Sequence, residues 1–165
     1  MARCLIIAGG CRGLELAQGL RRDGHAVRAS TRDPSRLAGL EAEGIEAVLG
    51  DPDRVATLAP ALDHVAVTYI LLGCATGSRE GLDALHGTRL DMLLSKILDS
   101  TVRGIVYEAA GSVDAEVLAG GAARVRAFAQ DSRVPYVLLG RDPRDHEGWL
   151  KDALAAVDQV LGAPA

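Results

Sequence analysis

Six short apolar runs recur along the chain, and between them the apolar residues fall at helical spacing. Strand alternating with helix six times restricts the fold to the α/β class, with a mostly parallel sheet and helices on both faces. The predicted strands are Arg3–Ala8, His25–Thr31, Ile45–Leu49, Val65–Leu72, Ile105–Ala109 and Val134–Leu139. Val65–Leu72 is the longest run and reads as a strand buried on both sides. Helices are predicted over Cys11–Asp23, from Asp33-Pro34-Ser35 to Gly44, from Asp51 to about Ala61, over Leu82–Leu98 with a break near Gly87, over Ala115–Gln130 and over Glu147–Leu161. Right-handed crossovers then imply a doubly wound parallel six-stranded sheet in the order 3-2-1-4-5-6. The 165 residues suit one domain spanning 1–165. Ligands of such sheets lie at the carboxyl ends of the strands where the order reverses, here between the first and fourth.

Composition removes several classes of function. Hydrophobic residues make up 48% and the net charge is −4, which excludes a disordered chain and a binder held to nucleic acid by general basicity. No apolar run approaches the roughly 20 residues needed to cross a bilayer. The start lacks a signal-peptide pattern, so a cytoplasmic protein is expected. The three cysteines, Cys4, Cys11 and Cys74, form no C-x-x-C pair, which argues against a disulfide framework or a structural zinc site. Lys96 and Lys151 are the only lysines.

The turn after the first strand reads Ala8-Gly9-Gly10-Cys11-Arg12-Gly13-Leu14-Glu15-Leu16-Ala17. Against G-x-G-x-x-G-x-x-x-A it matches at Gly10, Gly13 and Ala17, with Ala8 in place of the first glycine. Gly10 lets the backbone approach a pyrophosphate, and Gly13 and Ala17 let the helix lie close to the strand. The helix start offers free N–H groups and the positive end of its dipole. Gly9, Gly10, Cys11, Arg12 and Gly13 are therefore candidate dinucleotide-binding residues. The competing reading is a tight strand-to-helix turn without a ligand.

About 20 residues on, where an acidic residue would hold a ribose 2′-hydroxyl, stand Ser30, Thr31 and Arg32. A guanidinium suits a 2′-phosphate, and Arg12 can approach the same phosphate from the other side. NADP is therefore expected as the cofactor, with NAD possible through Asp33. The alternative is that Arg32 is an ordinary surface arginine.

With these segments in hand, the chain resembles the short-chain dehydrogenase/reductase superfamily, in its atypical and extended NmrA-like or epimerase-like branches. Ala8–Gly13 resembles the glycine loop, and Thr31-Arg32-Asp33-Pro34-Ser35 resembles the R-D/N-P segment of NADP-binding members. Gly50-Asp51-Pro52-Asp53 resembles G-D-L-x-D, whose first aspartate contacts adenine; the resemblance makes Asp51 a candidate. Gly87-Thr88, Leu93-Leu94 and Val102–Tyr107 resemble G-T-x-N-L-L followed by G-V-x-R-F-V-Y. Leu72 and Gly73, at the end of the fourth strand, complete the candidate cofactor set.

The catalytic part departs from that family. Tyr69, Tyr107 and Tyr136 are each followed four positions later by glycine, so Y-x-x-x-K is absent, and alanine stands at the catalytic serine position after the fifth strand. The usual relay, a tyrosine acid assisted by lysine, cannot run here. The substrate domain of extended members is not expected in this chain. Tyr107 and Glu108, on opposite faces of the fifth strand, are the remaining catalytic candidates. Glu108 reads equally as a salt-bridge or cap residue, and Tyr69 as a core tyrosine with a satisfied hydroxyl. Cys74 either lines the nicotinamide end or packs. Asp145 is placed to cap the last helix. The expected function is that of a small NADP(H)-dependent oxidoreductase acting on a quinone or carbonyl. The alternative is a non-catalytic NADP(H)-binding redox sensor or partner-binding module. A small-molecule substrate and a homodimer are the expected partners.

Overall fold

A computed structural model describes residues 1–162. Six strands form one sheet: β1 (Arg3–Ala8), β2 (Ala26–Thr31), β3 (Glu46–Leu49), β4 (Val67–Leu71), β5 (Ile105–Glu108) and β6 (Tyr136–Leu139). Their order is β3-β2-β1-β4-β5-β6, and every neighbouring pair is parallel. The doubly wound arrangement expected from the alternation is the one observed. The helices are α1 (Gly10–Arg22), α2 (Leu37–Ala42), α3 (Arg79–Leu85), α4 (Thr88–Leu98), α5 (Ala115–Ser132) and α6 (His146–Gly162). None of the described helices is long and apolar enough to cross a membrane.

The period of two along each strand divides the core into two layers. Leu5, Ile7, Ile70, Leu72, Ile105 and Tyr107 pack on one face against Leu90, Leu94 and Ile97 of α4 and Val125 of α5. Cys4, Ile6, Val27, Tyr69, Leu71 and Val106 pack on the other against Leu16 and Leu20 of α1 and Trp149, Ala153 and Val157 of α6. Burial raises the Cys4 thiol to about 12, so this cysteine is an inert core residue.

One element differs from expectation, and another breaks where anticipated. The helix predicted after β3 is replaced by two 3-10 turns, Val55–Thr57 and Ala59–Leu62. Pro52 and Pro60 remove backbone donors. Asp51 Oδ1 accepts from Asp53 N, and the Thr57 hydroxyl donates to Arg54 O while accepting from Asp51 N. These local bonds compete with an α-helical ladder. The long helix expected over 82–98 is two helices, α3 and α4, parted at Gly87 where the break was anticipated. Asp145 Oδ1 accepts from Gly148 N, which is the capping role predicted for it.

Candidate functional site

The carboxyl ends of β1, β2 and β4 open into a cleft of about 400 Å³. Its floor is the glycine loop. Ala8, Gly9 and Gly10 all have left-handed backbones, with φ of 64°, 92° and 54°. A side chain at Gly9 would meet Leu71 Cδ1 at 2.9 Å and the Gly13 backbone at 3.1 Å, whereas Gly10 faces open space. A Cβ at Gly13 would lie 2.8 Å from the Ala8 carbonyl oxygen, so only glycine lets α1 start this close to β1. The helix has no side-chain cap and no acidic residue in its first turn. Its free N–H groups and positive dipole end therefore face the cleft unopposed. A backbone that can be approached at Gly10, above an uncapped helix start, fits a dinucleotide pyrophosphate.

At the β2 end, Ser30, Thr31, Arg32, Arg36, Pro52 and Asp53 line the cleft. Arg32 is 65% exposed and stands 4.0 Å from Asp53, which also pairs with Arg89 at 3.4 Å. Asp33 is turned to local use: its Oδ1 accepts from Ser35 N at 2.9 Å and from Ser35 Oγ at 2.7 Å. Those two bonds hold its carboxyl below the usual carboxylate range. At the β4 end the walls are Leu71, Leu72, Cys74, Ala75, Thr76 and Leu85.

Of the sequence-predicted residues, Gly9, Gly10, Cys11, Arg12, Gly13, Ser30, Thr31, Arg32 and Leu72 meet in this cleft. Asp51 and Gly73 do not line it, although their neighbours Gly50, Pro52 and Cys74 do. Arg12 does not reach toward Arg32 as expected. Its Nη2 donates to both carboxylate oxygens of Glu108, at 2.9 and 3.0 Å, and its guanidinium lies 5.3 Å over the Trp149 ring. Glu108 is fully buried and accepts a further bond from Gly73 N at 2.8 Å. Burial pushes its carboxyl up, opposed by Arg12 and the Gly73 N–H.

This geometry places both catalytic candidates, Glu108 and Tyr107, outside the cleft lining. Glu108 is a buried partner of Arg12, and its two oxygens accept three hydrogen bonds from two nitrogens, Arg12 Nη2 and Gly73 N. Tyr107 is buried on the opposite face, where its hydroxyl meets His86 Nδ1 at 2.6 Å. His86 Nε2 lies 3.0 Å from the Leu72 carbonyl, so it must donate there, and Nδ1 accepts from the tyrosine. Tyr69 donates to the Ala153 carbonyl at 2.8 Å, the satisfied core role foreseen for it. Burial raises both hydroxyls. Among the described residues, neither a tyrosine nor a lysine lines the cleft.

Residues 8–117 match the model of a family described as NAD(P)H-binding. The chain belongs to this NAD(P)H-binding family. No curated protein matches it in sequence. Solved structures share its fold. Pen from Bacillus thuringiensis superposes with a TM-score of 0.70 at 14% identity, over 99% of this chain and 67% of that one. Citrobacter sp. triphenylmethane reductase, complexed with NADP(H), gives 0.64 at 19% identity, over 84% and 48%. A short-chain dehydrogenase/reductase superfamily protein from Agrobacterium tumefaciens, with bound NAD, gives 0.66 at 18% identity, over 82% and 48%. The chain thus spans about half the length of two of the three. The chain shares its fold with these structures, one of them a short-chain dehydrogenase/reductase superfamily protein.

Sequence reasoning missed Arg36, Asp53 and the His86–Tyr107 pair. Arg36 reaches the cleft from the 3-10 turn Pro34–Arg36 that follows β2, a placement that the spacing from Arg32 did not mark. The histidine pair had no sequence signal, because its partners lie 14 and 21 residues away.

Proposed function

We propose that the cleft binds NADP(H) in preference to NAD(H), with Arg32 and Arg36 taking the 2′-phosphate, and that the chain is a small oxidoreductase of a quinone or carbonyl substrate. One observation carries the preference: two arginines face the β2 end of the cleft, while the carboxylate that would hold a 2′-hydroxyl, Asp33, is committed to Ser35. A guanidinium matches a phosphate in shape and charge, and a charge-assisted bond contributes about 1.5–3 kcal/mol. When bound, the nicotinamide supplies hydride chemistry; the protein's part is to orient the acceptor and keep water out. Leu71, Leu72, Ala75 and Leu85 give the β4 end the apolar walls that an uncharged acceptor requires. Triphenylmethane reductase, a solved NADP(H) complex of the same fold, supports the cofactor assignment.

The test is calorimetric titration with NADPH and NADH beside Arg32→Ala. NADPH should bind tighter than NADH, and the variant should lose about tenfold in NADPH affinity while NADH changes little. Equal affinity for both would refute the preference; binding of neither would refute the site.

A second reading, a non-catalytic NADP(H) sensor, is favoured by the lack of any tyrosine or lysine among the described cleft residues. It predicts NADPH binding without NADPH oxidation across a panel of quinones, aldehydes and ketones. We propose a cytoplasmic homodimer alongside either reading.

A further inference from the structure

Glu108 lies beneath the cleft at the end of β5, fully buried, and is bound to the only described cationic group in contact with it, Arg12. Arg12 belongs to the first turn of α1 and lines the cleft, where the proposed site receives a pyrophosphate. A cation there would add to the helix dipole and strengthen anion binding. The buried carboxylate cancels it. Arg12 is also held from both sides, since its guanidinium lies over Trp149 and its side chain is only 20% exposed. The buried Nε of Arg12 has no hydrogen-bond partner among the described residues. Carboxylate and cation thus form a nearly neutral pair under an anion site.

We propose that Glu108 is an affinity-setting residue: by neutralising Arg12 it limits how tightly the first turn of α1 holds the diphosphate of a dinucleotide. The inference rests on reading the cleft as the dinucleotide site. In water such a charge would be screened. Behind a low-dielectric wall, one unit of charge within a few ångströms of the ligand changes affinity by about fivefold or more. Glu108→Gln keeps the side chain's shape and its acceptor for Gly73 N, but leaves the charge of Arg12 uncancelled. Arg12→Met/Glu108→Gln removes both charges, and near-isosteric replacement of a buried pair is commonly tolerated.

The experiment is calorimetric titration of NADPH and NADH into the intact wild-type chain and both variants at low and moderate salt, with thermal unfolding of each. Glu108→Gln is expected to bind both dinucleotides about fivefold more tightly or better, with steeper salt dependence, and the double variant is expected within about twofold of wild type. A purely structural role would instead weaken binding in Glu108→Gln and would not be reversed in the double variant; that result overturns the inference and leaves the site standing. If Glu108→Gln does not fold, the double variant decides. Affinity near wild type supports neutralisation, and a tenfold loss shows that Arg12 itself holds the ligand. Binding of neither dinucleotide by any of the three chains would overturn the site and the inference together.

Discussion

Ala8 shows how much one residue in the glycine loop matters. It stands where a first glycine is usual and has a φ of 64°, a conformation that costs an L-residue about 1–2 kcal/mol. Ala8→Gly should therefore raise the unfolding free energy by up to about 1 kcal/mol, read from urea denaturation. Gly9→Ala should do the reverse. It combines a φ of 92° with contacts to Leu71 and the Gly13 backbone, and a loss of about 1–3 kcal/mol is expected by the same measurement. The sequence motif marked both positions. It could not show which way Arg12 points, because that depends on Glu108, 96 residues away. Motifs report the spacing of neighbours along the chain; the charge that neutralises a motif arginine arrives through the sheet.

At the level of elements, the strands and the long helices were legible because apolar periodicity follows directly from burial on two faces. The 3-10 turns after β3 were less so, since prolines and side-chain bonds decide them locally. The side-chain tie joining β4, α3 and β5 was not legible. There His86, at the end of α3, ties the Leu72 carbonyl to the Tyr107 hydroxyl. Burial lowers the proton affinity of His86 below the ordinary 6.5. A histidine depressed in the fold favours the native state above its unfolded pKa, and that contribution is lost as pH falls from there through the folded value. The thermal midpoint should thus drop on going from about pH 7 to about pH 5, and His86→Gln, though less stable at neutral pH, should drop less. An equal drop in both proteins would assign the effect elsewhere. Gly121 of α5 belongs to the same contact, for a side chain there would run into the Tyr107 hydroxyl. Gly121→Ala should destabilise by about 1–3 kcal/mol in denaturant unfolding.

Across the whole molecule, one parallel sheet places the glycine loop, the arginines of the β2 end and the apolar walls of the β4 end around one opening. The alternation of six apolar runs was enough to anticipate that arrangement, because parallel strands with helical crossovers admit few topologies. Self-association, expected from sequence, is proposed with Met92 and Leu98 of α4, large apolar side chains more than half exposed, as its candidate contacts. Light scattering at micromolar concentration should give twice the mass of one chain; the single-chain mass would refute the dimer.

The chain's one tryptophan, Trp149, lies wholly buried beneath Arg12 at the root of the glycine loop. Its fluorescence is therefore a native optical reporter of that loop, with no second indole to blur it. Reduced nicotinamide absorbs where indole emits, so a bound reduced dinucleotide should quench the signal by energy transfer, and the oxidised form much less.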